Sequence, residues 1–413
     1  MSHSVSFRDY RTALTTPGAG SPVIAAVFAR LPLAMVGLSL LFYVQRVTGS
    51  FATAGIVSAG ALIGVSVGSV LQGRSMDRLG PTNPLLITSA GFAVLVTAQI
   101  WAIETHASTA VLVALAVGVG MTEPMVGSAS RAMWSRLLPD GAPRQAAYNY
   151  DAISIEVFFI LGPGISGVLA GLPWAGTGLV IAAGIQAFGA IWFALTKTVR
   201  KLHPLPGELP GMLGALASPG MRTVALAAVG FGAVIGFLEV AVPAAATQAG
   251  QPALGGLMIS AWSVSSVAFG VLYGMRPWPR PMHLRLPFLL AVFAVLVAFS
   301  AIPGELIGLT ATLLVAGAMI TPQSTAHSTV LEQVAPPGTI TEAFGWVITS
   351  ITLGLAFGQS LSGFLVDHVS VQASFLAASV AGLIIAGAVF LWRGTIKRGV
   401  PSPARVEDHV LAG

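Results

Sequence analysis

The chain of 413 residues contains no cysteine. That excludes disulfides, thiolate catalysis and cysteine-based metal sites, and it leaves the redox compartment open. Charge is nearly as scarce. Asp, Glu, Lys and Arg together make up 8% of the residues, against about 25% in soluble globular proteins. A single soluble core rarely exceeds about 250 to 300 residues, and a soluble surface needs far more charge than this. A soluble enzyme, a disordered chain and a nucleic-acid-binding protein are therefore excluded. The phosphate-cradling pattern GxxxxGK[ST] is absent, so ATP is not expected to drive this protein directly, and neither HExxH nor any other clustered metal-ligand spacing occurs. No cleaved signal peptide is expected, because the polar first 21 residues, with Arg8, Asp9 and Arg11, lead into no short apolar segment with a small-residue cleavage site.

What is present is apolar: 55% of the residues are hydrophobic, and the mean hydropathy is +0.84. A bilayer core of about 30 Å takes about 20 apolar residues per helix. Twelve such stretches occur, at 22–45, 52–72, 84–103, 108–130, 146–170, 175–196, 222–247, 254–274, 285–302, 305–328, 341–366 and 371–392. The expected fold is an all-α membrane protein. With the N-terminus placed in the cytoplasm, 18 of the 20 Lys and Arg fall on the cytoplasmic side, leaving Arg46 outside and Arg30 within the first span. The positive-inside rule asks for this bias. It predicts a multi-pass cell-membrane protein with both termini cytoplasmic, and it explains the net charge of +5 without nucleic acid. Trp101, Trp174, Trp192, Trp278 and Trp392 sit near span ends, where aromatic anchors belong.

The spans fall into two sets of six. Residues 1–21 form an N-terminal tail, 22–196 a first six-helix bundle, 197–221 a linker rich in proline and basic residues, 222–392 a second six-helix bundle, and 393–413 a C-terminal tail. The halves are related. Pro124 aligns with Pro322 at an offset of 198, Gly162 with Gly358 and Gly167 with Gly363 at 196, and Gly55 and Gly73 with Gly256 and Gly274 at 201. Nearby offsets in matching order indicate a duplication, the construction of several transporter folds, with substrate bound between the repeats near the bilayer midplane.

Two motifs sharpen this. The segment GRSMDRLGP runs from Gly73 to Pro81, and Gly73, Asp77, Arg78 and Gly80 in it resemble the signature loop between the second and third helices of the major facilitator superfamily. The family usually continues with further basic residues, whereas Pro81-Thr82-Asn83 follow here. Asp77 is expected to cap a helix N-terminus or pair with an arginine, and the glycines to allow a tight turn. The corresponding segment Gly274-Met275-Arg276-Pro277-Trp278 has lost the acid. On the fifth span, LGPGISGVLAG resembles the Gly-Pro motif of that superfamily's proton-coupled exporters, with Gly162, Pro163, Gly164 and Gly167 matching. Proline bends a helix, and small residues admit a close partner. A basic motif that many of these exporters carry on the fourth helix is missing, Arg131 being the nearest residue to it.

Ionisable residues inside hydrocarbon are functional candidates by default. Glu156, Glu239 and Asp151 are candidates for proton coupling. By the resemblance, helices 1, 4, 7 and 10 line the cavity, which makes Arg30, Glu123, Gln323 and His327 substrate-cavity candidates. Arg30 and Glu123 lie at similar depth and are expected to pair, whereas Asp151 is expected nearer the interface beside the Arg144 loop. The resemblance implies a secondary active transporter that exports a small organic molecule in exchange for protons. The alternatives are a proton-coupled importer of a polar metabolite and a non-transporting membrane receptor. The expected partners are a small-molecule substrate, protons and the lipid bilayer. A proton gradient supplies the drive; no cofactor and no metal are expected, and the chain is expected to act as a monomer rather than as an enzyme.

Overall fold

A computed structural model describes residues 6–139, 141–202, 214–274, 281–336 and 339–399. Residues 203–213 of the linker, the Met275 to Trp278 segment and residues 400–413 of the C-terminal tail lie outside the described residues. The described chain is nearly all helical. Twelve helices are long and apolar enough to cross a bilayer: Gly20–Thr48, Phe51–Leu79, Thr82–Glu104, Thr109–Leu137, Ala142–Ala170, Thr177–Leu195, Pro219–Gln248, Pro252–Gly270, His283–Ala301, Leu306–Val334, Glu342–His368 and Val371–Leu391. They are called here the first to twelfth spans. The chain packs as two compact units, Met1–Gly207 with Val242–Ser263, and Glu208–Ala241 with Val264–Gly413. Ahead of the first span, Phe7–Thr15 forms a helix whose start is closed by Ser6 and Asp9. The Asp9 carboxylate accepts from the Ser6 hydroxyl at 2.6 Å and its backbone N–H at 2.8 Å. These bonds hold the Asp9 carboxyl below its usual range.

Proline sets the breaks. In the first span the helix stops at Arg30 and resumes at Leu33, because Pro32 has no N–H to give to the preceding turn. The fourth span stops at Thr122 and resumes at Val126. Glu123 precedes Pro124 and takes ψ 120°, the extended region that a following proline imposes. A broken helix in hydrocarbon must have its freed backbone groups satisfied from elsewhere. Gln72 of the second span does this. Its amide N donates to the carbonyls of Met121 at 3.0 Å and Glu123 at 2.9 Å, and its amide O accepts from the Met125 N–H at 3.1 Å. The tenth span is interrupted after Gly317 and resumes at Ile320. There Ser266 accepts from the Thr321 N–H and shares a hydrogen bond with the Thr321 hydroxyl.

Small residues bring the second and fourth spans into backbone contact. A Cβ on Gly64 would run into the Val117 carbonyl, and one on Gly120 into that of Ala61. The duplication reaches this level of detail. Gly162 of the fifth span packs on Ala34, and Gly358 of the eleventh on Ala233. The Ser166 hydroxyl donates to the Met35 carbonyl at 3.3 Å, and that of Ser362 to the Phe237 carbonyl at 2.9 Å. Arg46, the basic residue expected outside, donates to the carbonyls of Ala170, Leu172 and Pro173 at the end of the fifth span, where a helix leaves carbonyls unpaired and favours a cation.

The signature segment differs from expectation. The second span runs on through Leu79, so Gly73 lies inside a helix and only Gly80-Pro81 turn the chain. Gly80 has φ +77°, and a Cβ there would crowd the Leu202 carbonyl, so glycine is required at this turn. Asp77 and Arg78 are exposed. Asp77 makes no hydrogen bond or ion pair among the described residues, and the third span has no side-chain cap at its start. The expected capping role therefore does not occur, because Asp77 sits within the last helical turn and not at the next N-terminus.

Gly64→Val forces the second and fourth spans apart and is expected to cost about 1–3 kcal/mol or more. Gly184→Ala enters open space and is expected to stay within about 0.5 kcal/mol. Thermal melts of the two detergent-purified variants check this.

Candidate functional site

The membrane-embedded polar residues form separate small groups. In the first unit the Arg30 guanidinium pairs with Asp151 of the fifth span, Nη1 to Oδ1 at 2.7 Å, with side-chain exposures of 4% and 3%. Nη2 lies 3.4 Å from the Asp151 backbone carbonyl. The second Asp151 oxygen accepts from Ser130 of the fourth span at 3.0 Å. Arg30 ends the lower segment of the first span, just before the proline break. A small cavity adjoins the pair, lined by Val23, Ala26, Val27, Arg30, Ser130, Tyr150, Asp151, Ser154 and Phe158.

This corrects two expectations. Arg30 does not pair with Glu123, and Asp151 is buried. Arg144 instead donates to the Leu138 carbonyl. The reason is azimuth. Asp151 precedes Phe158 by seven residues and Gly162 by eleven, so it shares the helix face that packs on the first span through Gly162 and Ala34. Glu123 sits in the fourth-span break and turns to the sixth span, where the Gln186 amide donates to it at 2.9 Å. Both side chains are buried.

Glu156 lies five residues beyond Asp151, about 140° around the helix. It is exposed and has no hydrogen-bond partner among the described residues. It shares a stripe with Pro163 and Gly167, seven and eleven residues on. That stripe meets the start of the eighth span, where a Cβ on Gly167 would crowd the Ala253 carbonyl and Gly256, and one on Gly256 would strike the Pro163 carbonyl. Gly164 faces Ser260. The fifth span stays one continuous helix through Pro163.

In the second unit, Glu239 of the seventh span is half-buried and accepts from the Gln359 amide of the eleventh at 2.7 Å. Gln323 and His327 lie one turn apart on the tenth span and are both buried. The His327 Nδ1 bonds the Gln323 backbone carbonyl at 2.9 Å, which assigns the proton to Nδ1. The ring lies 5.8 Å from that of Phe231, and the Gln323 side-chain amide has no partner among the described residues. The structure thus brings Arg30 to Asp151 and leaves Glu123, Glu156, Glu239 and the Gln323–His327 pair in separate settings.

The partners that the sequence reading missed are neutral: Gln72, Ser130, Gln186 and Gln359. Their signal is present in the sequence, since a buried amide or hydroxyl in an apolar span also needs a partner, but of the neutral polar residues Gln323 alone is among the candidates read from the sequence.

A family model described as Major Facilitator Superfamily matches residues 23–329. The chain is 24% identical over 397 residues to an uncharacterized MFS-type transporter, y4rN, of Sinorhizobium fredii (strain NBRC 101917 / NGR234), covering 92% of this chain and 95% of that protein. Among solved structures it resembles a point mutant of the nucleoside transporter NupG, at TM-score 0.73 and 14% identity, over 90% of this chain and 100% of that one. It also resembles a point mutant of the peptide transporter POT in complex with sulfate, at TM-score 0.72 and 15% identity, over 96% and 100%.

Breaking a buried ion pair by removing one partner costs about 3–5 kcal/mol, whereas replacing both by apolar residues is often neutral. Arg30→Met is therefore expected to lower the melting temperature sharply, and Arg30→Met with Asp151→Leu to recover most of the loss, as measured by thermal melts in detergent.

Proposed function

This chain belongs to the major facilitator superfamily and is a multi-pass membrane transporter, and from that premise we propose that it exports a small organic molecule in exchange for protons by alternating access. The observation that carries this reading is the unequal pairing of the membrane acids. Asp151 has Arg30 as a counter-cation. Among the described residues Glu123 and Glu239 have one amide each and no cation, and Glu156 has no partner. An ionised carboxylate without a cation is costly in a low-dielectric setting and is relieved by taking up a proton. Glu156 and Glu239 are assigned the proton, Asp151 holds Arg30, and Glu123 braces the fourth-span break against the sixth span.

Export is supported by the Gly-Pro motif of the fifth span, whose Gly164 and Gly167 pack against the eighth span, and by its resemblance to the motif of proton-coupled exporters. The same reading has the protein in the cell membrane with both termini cytoplasmic, supported by the strong bias of Lys and Arg to one side, and acting as a monomer, supported by the short loops and the six-plus-six plan. The drive is a proton gradient, with no cofactor.

The test is proton flux in proteoliposomes with a compound panel added on one side. Wild type is expected to release protons when a transported compound is present. Glu156→Gln and Glu239→Gln are each expected to abolish that release while leaving the melting temperature near wild type. Flux unchanged in both variants would remove these acids from the mechanism, and compound flux in the same direction as protons would make the protein an importer.

A further inference from the structure

Two glutamates meet an amide in the same incomplete way. The Gln186 amide nitrogen donates to Glu123 at 2.9 Å, and that of Gln359 donates to Glu239 at 2.7 Å. In both glutamines the other half of the amide is idle. The side-chain oxygens of Gln186 and Gln359 are buried and accept from no described residue. A buried acceptor without a donor is costly, and buried polar atoms nearly always have a partner. Gln72 shows the completed form, with both of its amide atoms bonded.

The missing donor is one that the glutamate itself can supply. An ionised carboxyl only accepts, whereas a protonated one carries an O–H donor. The orphaned oxygen belongs to the same planar amide whose nitrogen already touches the carboxyl. A proton on the glutamate therefore closes the pair: amide N–H to carboxyl C=O, and carboxyl O–H to amide C=O. No cation competes for either acid. Among the described residues no charged or titratable side chain on a neighbouring helix acts on Glu123 or Glu239, and Arg30 is held by Asp151. The two pairs are not copies of one another in the repeat. One joins the fourth span to the sixth and the other the seventh to the eleventh, so the arrangement occurs twice independently.

We propose that Gln359 is the positioning residue that holds a proton on Glu239, and that Gln186 holds one on Glu123 in the same closed pair. This deepens the exchange reading above, on which it rests for the use made of the Glu239 proton. Packing fixes the second pair. A Cβ on Gly236 would strike the Leu355 carbonyl, and one on Gly358 the Ala233 carbonyl, so the seventh and eleventh spans touch backbone to backbone within a turn of Glu239 and Gln359. Exposure separates the two roles. Glu123 is buried and Gln186 wholly so, and their pair keeps its proton as a neutral brace. Glu239 is half-buried, and its proton exchanges with water. On release Glu239 keeps the amide N–H bond, and the Gln359 oxygen loses its donor.

Infrared spectra of the full-length protein in liposomes, recorded across a pH series, test this through the C=O band of protonated carboxyl groups. Subtracting the Glu123→Gln and Glu239→Gln spectra from wild type isolates each acid. Both are expected to give a band at neutral pH, with that of Glu239 fading first as pH rises. Gln359→Leu carries the decision, because its sign differs between the two possible roles of the amide. Losing a partner of the acid form lowers the pH at which the proton leaves, whereas losing a partner of the carboxylate raises it. Gln359→Leu is expected to lower the Glu239 midpoint by about one pH unit, a tenfold loss of proton affinity. Gln359→Met repeats the measurement should the Leu variant fail a thermal melt. The proposal is overturned if either acid gives no band at neutral pH, or if the Glu239 midpoint in the Gln359 variant stays or rises. Proton flux in proteoliposomes separates it from the exchange reading. A lowered midpoint with compound-driven flux intact in Glu239→Gln leaves the pair standing and takes Glu239 out of exchange. Flux abolished in Glu239→Gln with a raised midpoint in Gln359→Leu does the reverse.

Discussion

In hydrocarbon, a backbone N–H or C=O without a partner costs several kcal/mol, and water is not there to supply one. The rest of this structure follows from that constraint. It makes every span a helix, and it makes every helix break a structural problem that another side chain must solve. At Pro124 the solution is Gln72, whose single amide serves two carbonyls and one N–H. At the tenth-span interruption Ser266 serves Thr321. At the far end of the fifth span Arg46 serves three carbonyls. These side chains serve backbone that is irregular near them, and two of the ionisable residues also sit at such breaks: Arg30 beside Pro32 and Glu123 beside Pro124.

The same constraint distinguishes the acids. Asp151 is held by a cation and a hydroxyl, which fixes it within the first unit. Glu123 and Glu239 are each held by one glutamine, and Glu156 by nothing among the described residues. The set is graded, from an acid held by a cation to acids with no cation among the described residues.

The fold was largely legible from residue counts. Twelve apolar stretches, a bias of basic residues and three internal offsets gave the all-α plan and the number of spans, and the helices are found where the stretches were, longer by a few residues at several ends. The second span illustrates the limit. Arg74, Asp77 and Arg78 made Gly73 to Pro81 read as a loop, yet charged residues at the last turns of a helix are compatible with helix, and only Gly80 with its positive φ breaks it. The site was less legible. Depth along a span follows from counting residues, so Arg30, Glu123, Glu156 and Glu239 were placed within the membrane, whereas Asp151 was placed nearer the interface. Their partners were not found, since Arg30 was matched to Glu123 on depth alone.

The sequence by itself determined quantities that add up along one chain: apolar length, the side on which charge collects, the repeat, and the positions where proline and glycine interrupt or admit. What only the tertiary structure decided is which face of each helix meets which neighbour. That face depends on the step of about 100° per residue, on the bends at Pro32 and Pro124, and on the packing of several helices at once. A shift of five residues from Asp151 to Glu156 turns a side chain from the first span to the stripe that carries Pro163 and Gly167. Pairing in a bundle is a property of angles between helices, and angles are set by the whole packed unit and not by any one segment of it.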